Sequence, residues 1–494
     1  MKTIQMTQEM EKRGSFKNMK VLVAGLARSG TGAANLLSSL GANVTITDKK
    51  SGSSLKASID RLDPSIKVIT GENPEYLFME ADLIVVSPGI PLSIPPIVKA
   101  KEEGVPIIGE LELAYRVIKE GLLPMTYDPL PVFIGITGTN GKSTTTTLVN
   151  LMLGRSGFRT LLGGNIGNAL TEELTKLSFK GEARSLDYIV AEISSFQLES
   201  IDKFRPNAAA ILNITPDHLD RYRNIEEYID AKTRIFENQQ AGDFLILNAD
   251  DPVLMEVINK KLEIRSIRPE IIFFSRKREV DGVYFKDGMI YANSTCFPFP
   301  TSHLPLLSQD ELRIKGIHNL ENAMAASAVA LASGCSYEAV ADVFRDFSGL
   351  EHRMEFVEEF NGVRFINDSK GTNVGAVVKS LESFNRVVLI MGGLDKGGDF
   401  RALRNLIAGK VSTLILLGEA KEKIASAIGD ITETFFAHDL KEAVSVSLSK
   451  AKEGDVVLLS PGCASFDMFK DFEDRGRKFK EAVRETVKDK RSSQ

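Results

Sequence analysis

The chain has 494 residues, a formal net charge of −5, and 43% hydrophobic and 26% charged residues; it reads as a soluble globular protein with no bulk pull toward nucleic acid. At roughly 100–200 residues per domain, about three domains are expected. Cys296, Cys335 and Cys463 stand far apart with no CxxC pair, so neither a zinc site nor a disulfide framework is indicated, and a reducing cytoplasm fits.

The first residues lack the apolar stretch of a signal peptide. Residues 1–18 read as a polar extension ahead of a strand, with Met19 as an alternative start. No apolar run reaches membrane-spanning length, so no membrane insertion is expected. From residue 19, short apolar strands alternate with helical stretches almost to the end, the pattern of α/β layers with mostly parallel sheets. MKVLVAG (19–25), NVTIT (43–47) and ADLIVVS (81–87) are strands of a first unit, with turns at Pro88–Gly89 and Pro95–Pro96. That unit closes near Gly109. A second unit, 110–349, has strands VFIGIT (132–137), YIVAEIS (188–194), AAAILNIT (208–215) and FLILN (244–248). It ends on the helix HNLENAMAASAVALAS (318–333), and its stretch 255–305 reads as a β-rich excursion. The third unit, 350–494, has strands VRFIND (363–368), RVVLIMGG (386–393), STLILLG (412–418) and DVVLLSPG (455–462). Its end, VKDKRSSQ, reads as a frayed tail.

The sharpest signal is VFIGITGTNGKSTTTTLV (132–149). A buried strand runs into a glycine-rich turn, then Lys142, Ser143 and a helix, which aims backbone N–H groups and a helix N-terminus at phosphates. Gly138, Thr139, Asn140, Gly141 and Thr144 belong to the same loop. Lys142 would reach the β/γ-phosphates of ATP and the Ser143 hydroxyl would ligate Mg²⁺. Strict Walker spacing wants glycine at 136, where this chain has Ile136; the loop is a variant. The plain alternative is a glycine-rich turn with an incidental lysine. Glu192 and His218 lie at the ends of two other strands of the unit, where ligands of open α/β sheets gather. Both residue types bind divalent metals. By itself, His218 is more often a structural histidine, and Asn319 is well explained as a helix N-cap.

The form GTNGKST resembles the Mur ligases and the folylpolyglutamate synthetases, which join a carboxylate to an amine through an acyl phosphate. AEISSFQLE (191–199), ILNITPDHLDRY (211–222) and GIHNLENAMAA (316–326) resemble Mur ligase segments. That resemblance spans nearly the whole chain after residue 18. It implies a Rossmann-like first domain, a central P-loop ATPase-type domain and a Rossmann-like C-terminal domain in an enzyme acting as a monomer. It implies Glu192 and His218 as metal ligands, Asn165 of GGNIG (163–167) at a substrate diphosphate, and Asn319 and Asn322 at adenine.

The turn GLARSG (25–30) departs from a dinucleotide fingerprint at Ala27. As a match to the muramyl ligases it implies a uridine site: Ser29, Asp48 and Lys49 at uracil and ribose, Ser87 and Gly89 at the diphosphate. Folylpolyglutamate synthetases lack this domain and are disfavoured. The third unit carries EHRME (351–355), NDSKGTN (367–373), GGLDKGGD (392–399) and SPGCASFDMFKDFEDRG (460–476). The last three each follow a strand, so their polar groups can converge at one rim. The resemblance implies that Thr372, Lys396, Ser465 and Phe472 bind D-glutamate, with UDP-N-acetylmuramoyl-L-alanine as the partner substrate. It places Arg353, Asp368 and Lys370 at the nucleotide and reaction centre. Phe466 departs from the leucine of some relatives.

NIEEYIDAKTRIFEN (224–238) reads as an amphipathic helix with Lys232 in the gap of its apolar stripe. Snorkelling and an acidic partner are the bland accounts. The YIDAKTRIF context matches the carbamylated-lysine segment of the family, which implies a carbamate on Lys232 sharing a metal with His218. Two other classes stay open on the residues alone: a nicotinamide oxidoreductase built on the first βα unit, and a nucleotide-sensing protein without turnover.

Overall fold

The computed structural model describes residues 16–122, 129–179, 186–218 and 221–492. Most of the 1–18 extension lies outside them, but Phe16 is buried in the first core, so the folded part begins ahead of Met19. Three sheets organise the chain. The first is wholly parallel in the order β3-β2-β1-β4-β5, with β1 Lys20–Ala24, β2 Asn43–Asp48, β3 Lys67–Thr70, β4 Leu83–Val86 and β5 Ile107–Gly109. The order reverses direction between β1 and β4, the switch point at which such sheets open a ligand crevice. A Cβ on Gly30 would stand 1.8 Å from the Gly25 carbonyl, which explains the outer glycines of GLARSG. Ala27 needs no glycine, since its φ is −107°. Pro95–Pro96 start a helix, Pro95–Glu102, rather than a turn, as proline's fixed φ suits the first helical positions.

The helix Glu110–Lys119 leads into the second unit. Its buried Glu112 accepts backbone N–H groups of Asp202, Lys203 and Phe204 at 3.0, 3.0 and 2.9 Å and pairs with Arg116 at 2.7 Å. The second sheet runs β14-β13-β12-β11-β10-β9-β6-β8-β7. Its strands are β6 Val132–Thr137, β7 Thr160–Gly164, β8 Tyr188–Glu192, β9 Ala208–Ile211, β10 Phe244–Asn248, β11 Glu270–Ser275, β12 Gly282–Lys286, β13 Met289–Ser294 and β14 Thr301–Ser308. β6 is buried on both faces, as a central parallel strand should be: Phe133, Ile134 and Ile136 are fully enclosed. The 255–305 stretch is a helix end followed by β11 to β14, closing in two antiparallel pairs. AAAILNIT is a strand only to Ile211; residues 212–215 leave the ladder to brace the phosphate loop.

The third sheet is β15-β16-β20-β17-β18-β19, with β15 Glu355–Phe360, β16 Val363–Asn367, β17 Val387–Gly392, β18 Val411–Leu417, β19 Glu433–Phe436 and β20 Val456–Leu459. Only β15 pairs antiparallel. The chain end is no frayed tail as far as residue 492. A helix covers Phe472–Ser492, because Phe479, Val483 and Val487 recur at helical spacing and are buried.

Candidate active site

The loop after β6 is shaped by two glycines at positive φ, Gly138 at 150° and Gly141 at 87°. Gly141 caps the helix Lys142–Arg155, and a Cβ there would meet Asn322 Oδ1 at 2.2 Å. The segment after β9 braces the loop: Asn140 N donates to Asn213 Oδ1 at 2.9 Å, and Thr139 Oγ1 lies 3.0 Å from the Tyr228 hydroxyl. The Lys142 ammonium folds back onto its own loop, donating to the Gly138 and Thr139 carbonyls at 2.8 and 2.7 Å. Burial holds it below the ordinary lysine value.

β9, β6 and β8 are neighbours, so their carboxyl ends bring the loop, His218 and Glu192 to one edge. Asn165 donates to Glu192 Oε1 at 2.7 Å, while Glu192 Oε2 is buried without a hydrogen-bond partner. Burial pushes Glu192 up, but Lys370 and Lys142 outweigh it and hold the carboxylate below its usual value. Lys370 Nζ, over the Phe472 ring, stands 2.6 Å from Ser143 Oγ. An orphaned carboxylate oxygen and a hydroxyl, with the Lys370 ammonium lying against that hydroxyl where a cation would sit, make a place that a hard divalent cation fits. Among the described residues no three His, Cys, Asp or Glu side chains are grouped so as to hold a metal ion by themselves, so such a cation would depend on Ser143 and Lys232 as well.

Lys232, 2% exposed, donates to the Gly138 carbonyl at 2.9 Å and lies over Tyr228. Burial, then the neighbouring Lys142, hold it well below the ordinary value. His218 has a φ of 55° and packs edge-on to Phe196 at 4.7 Å.

One cavity is lined by Lys142, Asn165, His218 and Lys232 from the second unit and by Thr372, Lys396, Ser465 and Phe472 from the third. The third-unit residues converge because β16, β20 and β17 are adjacent and parallel, so their following loops share one rim. Those loops are also stitched together: Gly462 N donates to Gly371 O at 2.8 Å, and Leu394 and Ala464 exchange two backbone bonds of 2.9 Å. A second cavity gathers Asn140, Gly141, Asn322, Arg353 and Asp368. Burial pushes the Asp368 carboxyl up; it accepts from Ser380 and Ser460 at 2.6 and 2.9 Å.

Asn319 departs from its expected capping role. Gly316, at φ 100°, caps that helix, and Asn319 donates its amide to the Lys315 carbonyl at 2.9 Å. It lines a separate groove with Thr144 and Arg353. Ser29, Asp48, Lys49, Ser87 and Gly89 sit at the carboxyl edge of the first sheet, outside the shared cavity. Asp48 accepts Leu26 N and Lys50 N at 2.8 and 2.9 Å, and Ser87 Oγ donates to Gly25 O at 2.9 Å.

Two arginines escaped the sequence reading. Arg28, on the helix after β1, donates to the Gly167 carbonyl and joins the first unit to the shared cavity. Arg475, 2% exposed, donates to the Ser369, Cys463 and Ala464 carbonyls and to Ser369 Oγ, pinning the terminal helix to two of the substrate-facing loops. Only its place in the FEDRG run signalled it.

Family models agree with this layout. Residues 19–109 match the Mur ligase MurD-like N-terminal domain, 136–330 the Mur ligase middle domain and 352–463 the Mur ligase glutamate ligase domain. The chain belongs to the Mur ligase family and is an ATP-dependent ligase, which sets aside the oxidoreductase and sensing-protein readings. Its relatives include the UDP-N-acetylmuramoylalanine--D-glutamate ligase of Geotalea uraniireducens, 44% identical over 470 residues, covering 94% of this chain and 97% of that one. The enzyme of the same name from Koribacter versatilis is 42% identical over 471 residues, covering 95% and 98%. In fold the chain is similar to a pseudomurein peptide ligase type C from Methanothermus fervidus (TM-score 0.57, 17% identity, covering 95% and 100%). It is also similar to a MurF ligase from Thermotoga maritima in complex with ADP (TM-score 0.57, 14% identity, covering 90% and 95%). Among the described residues no helix is long and apolar enough to cross a membrane.

Proposed function

We propose that the protein joins the amine of D-glutamate to the carboxylate of UDP-N-acetylmuramoyl-L-alanine, at the expense of ATP, in the cytoplasmic synthesis of peptidoglycan precursors. The shared cavity carries the reading: the phosphate-loop Lys142 faces Lys396, Thr372 and Ser465, cationic and hydroxyl partners suited to a dicarboxylic amino acid.

A free carboxylate is a poor acyl donor. Transfer of the γ-phosphoryl group from ATP gives an acyl phosphate, which the amine attacks; the tetrahedral adduct collapses to amide and phosphate. Lys142 and the loop N–H groups hold the phosphoryl charge, so catalysis is chiefly positioning and electrostatics. Asn322, Arg353 and Asp368 hold the nucleotide from one side, with Thr144 and Asn319 from the other. Ser29, Asp48, Lys49, Ser87, Gly89 and Asn165 hold the UDP portion. In this reading the chain divides at 109 and 349 into UDP-, ATP- and amino-acid-binding domains.

Ser143, Glu192, His218 and Lys232 would hold Mg²⁺, which neutralises charge on the transferring phosphoryl group. Lys232 serves as its carbamate: the uncharged amine that burial favours adds to CO₂ with loss of one proton, and the product offers oxygen ligands where an ammonium would repel metal.

A phosphate-release assay with UDP-N-acetylmuramoyl-L-alanine and a panel of amino acids tests the proposal. D-Glutamate should support release, and L-alanine, L-lysine and meso-diaminopimelate should not. Preference for any of those three would overturn it.

A further inference from the structure

The shared cavity is rich in basic side chains: Arg28, Lys142 and Lys396 line it beside Lys232. The amine that must enter is itself an ammonium at neutral pH and has no lone pair until it loses a proton. Three carboxylates line the same cavity, Asp217, Asp471 and Glu473. Two are already engaged. Asp217 accepts from Asn373 Nδ2 and from the His218 backbone N, each at 2.9 Å. Asp471 accepts the Asp474 backbone N at 2.7 Å and braces the first turn of the terminal helix. Among the described residues no hydrogen bond or ion pair engages Glu473. Glu473 directly follows Phe472, is half-buried, and lies within the field of Lys370, whose ammonium touches Ser143 of the phosphate loop. It is therefore an unspent acceptor in the cavity that the amino-acid loops share with the phosphate loop.

We propose that Glu473 is the general base of amide formation, receiving the incoming ammonium and taking one of its protons. The role rests on the ligation proposed above. The N–H bond breaks to leave a neutral amine and a protonated Glu473. The nitrogen lone pair then forms the C–N bond to the acyl-phosphate carbon. The tetrahedral adduct passes its second proton to the departing phosphate as the C–O bond to phosphorus breaks with its electron pair. Glu473 returns its proton to solvent.

The test uses the full-length Glu473→Gln variant with ATP and UDP-N-acetylmuramoyl-L-alanine. With D-glutamate, kcat should fall by about 10²–10⁴-fold, the usual worth of a positioned base, while KM for ATP stays unchanged. Hydroxylamine, already a free base at neutral pH, should trap the acyl phosphate as hydroxamate at the wild-type rate. Glu473→Asp should recover part of the D-glutamate activity. Wild-type D-glutamate turnover in Glu473→Gln, or an equal loss with hydroxylamine, would overturn the role. Hydroxamate formation by a wild type that ignores D-glutamate would overturn the substrate assignment instead.

Discussion

Lys370 in the third unit donates its ammonium to Ser143 Oγ in the phosphate loop across 2.6 Å. Arg353 repeats the connection to Thr144 at 3.3 Å, and Asn373 to Asp217 at 2.9 Å. The amino-acid side and the ATP side are thus joined by polar contacts at the reacting centre itself. An arriving phosphate group competes directly for Lys370, which burial has already pushed down to about 8.

Lys142→Ala should abolish ligation, with a loss of at least about 10²-fold in kcat, and leave the protein folded. Among the described residues the ammonium bonds only to the Gly138 and Thr139 carbonyls, and removing a buried cation also removes its desolvation cost. Phosphate release beside a thermal melt checks both halves. Near-normal turnover in a folded variant would mean the loop does not carry the phosphoryl group.

Lys232→Ala should be inactive, and short carboxylic acids such as acetate should restore part of the rate by supplying the missing oxygens. Branched density at the Lys232 nitrogen in a high-resolution wild-type map is the direct observation. Full activity in the alanine variant, with a bare ammonium in the map, would end the carbamate reading.

Arg475→Met should lower the unfolding free energy by about 2–4 kcal/mol, because the Ser369, Cys463 and Ala464 carbonyls lose a charged donor in a buried place. The loops it pins carry Lys370 and Ser465, and its own helix begins at Phe472, so KM for the amino acid should rise more than KM for ATP. Urea unfolding and steady-state kinetics separate the two effects; a stability like that of the wild type would show that the guanidinium holds nothing together.

His318 gives a pH prediction. Burial, then Arg353 and Lys379, push its imidazole down to about 4, and its Nδ1 is buried without a partner. The unfolded chain takes up a proton near the ordinary value of 6.5 while the folded chain does not. Stability from this group is therefore full above 6.5 and falls as pH drops from 6.5 toward 4, by at most about 3 kcal/mol. His318→Asn should flatten that limb. Unfolding measured at pH 7 and pH 4.5 in both proteins checks it, and parallel curves would refute it.

The phosphate loop was legible in the sequence because its glycines answer to backbone geometry, which neighbouring residues report. The three amino-acid loops were legible because each directly follows an apolar strand, and adjacent parallel strands leave those loops no other edge to occupy. Asn319 misled because a positive φ at Gly316 claimed the cap one turn earlier, a choice made by the chain's entry into the helix and not by capping propensity. The terminal helix was hidden by the charged residues around Phe479, Val483 and Val487. Arg28 and Arg475 had roles that were hidden for another reason: Gly167 and Ser369 lie far away along the chain, and no local pattern announces a contact to a backbone oxygen.

Phe466 stands on the rim of the shared cavity with 70% of its surface exposed, and the chain contains no tryptophan at all. The native protein is therefore dark in the indole emission band. A single Phe466→Trp substitution would place one fluorophore at the junction where the amino-acid loops meet the phosphate loop, with no background to subtract. Each ligand could then be added in turn and its effect on the wetness of that rim read from the colour of one residue, so the order in which the walls close becomes an optical measurement.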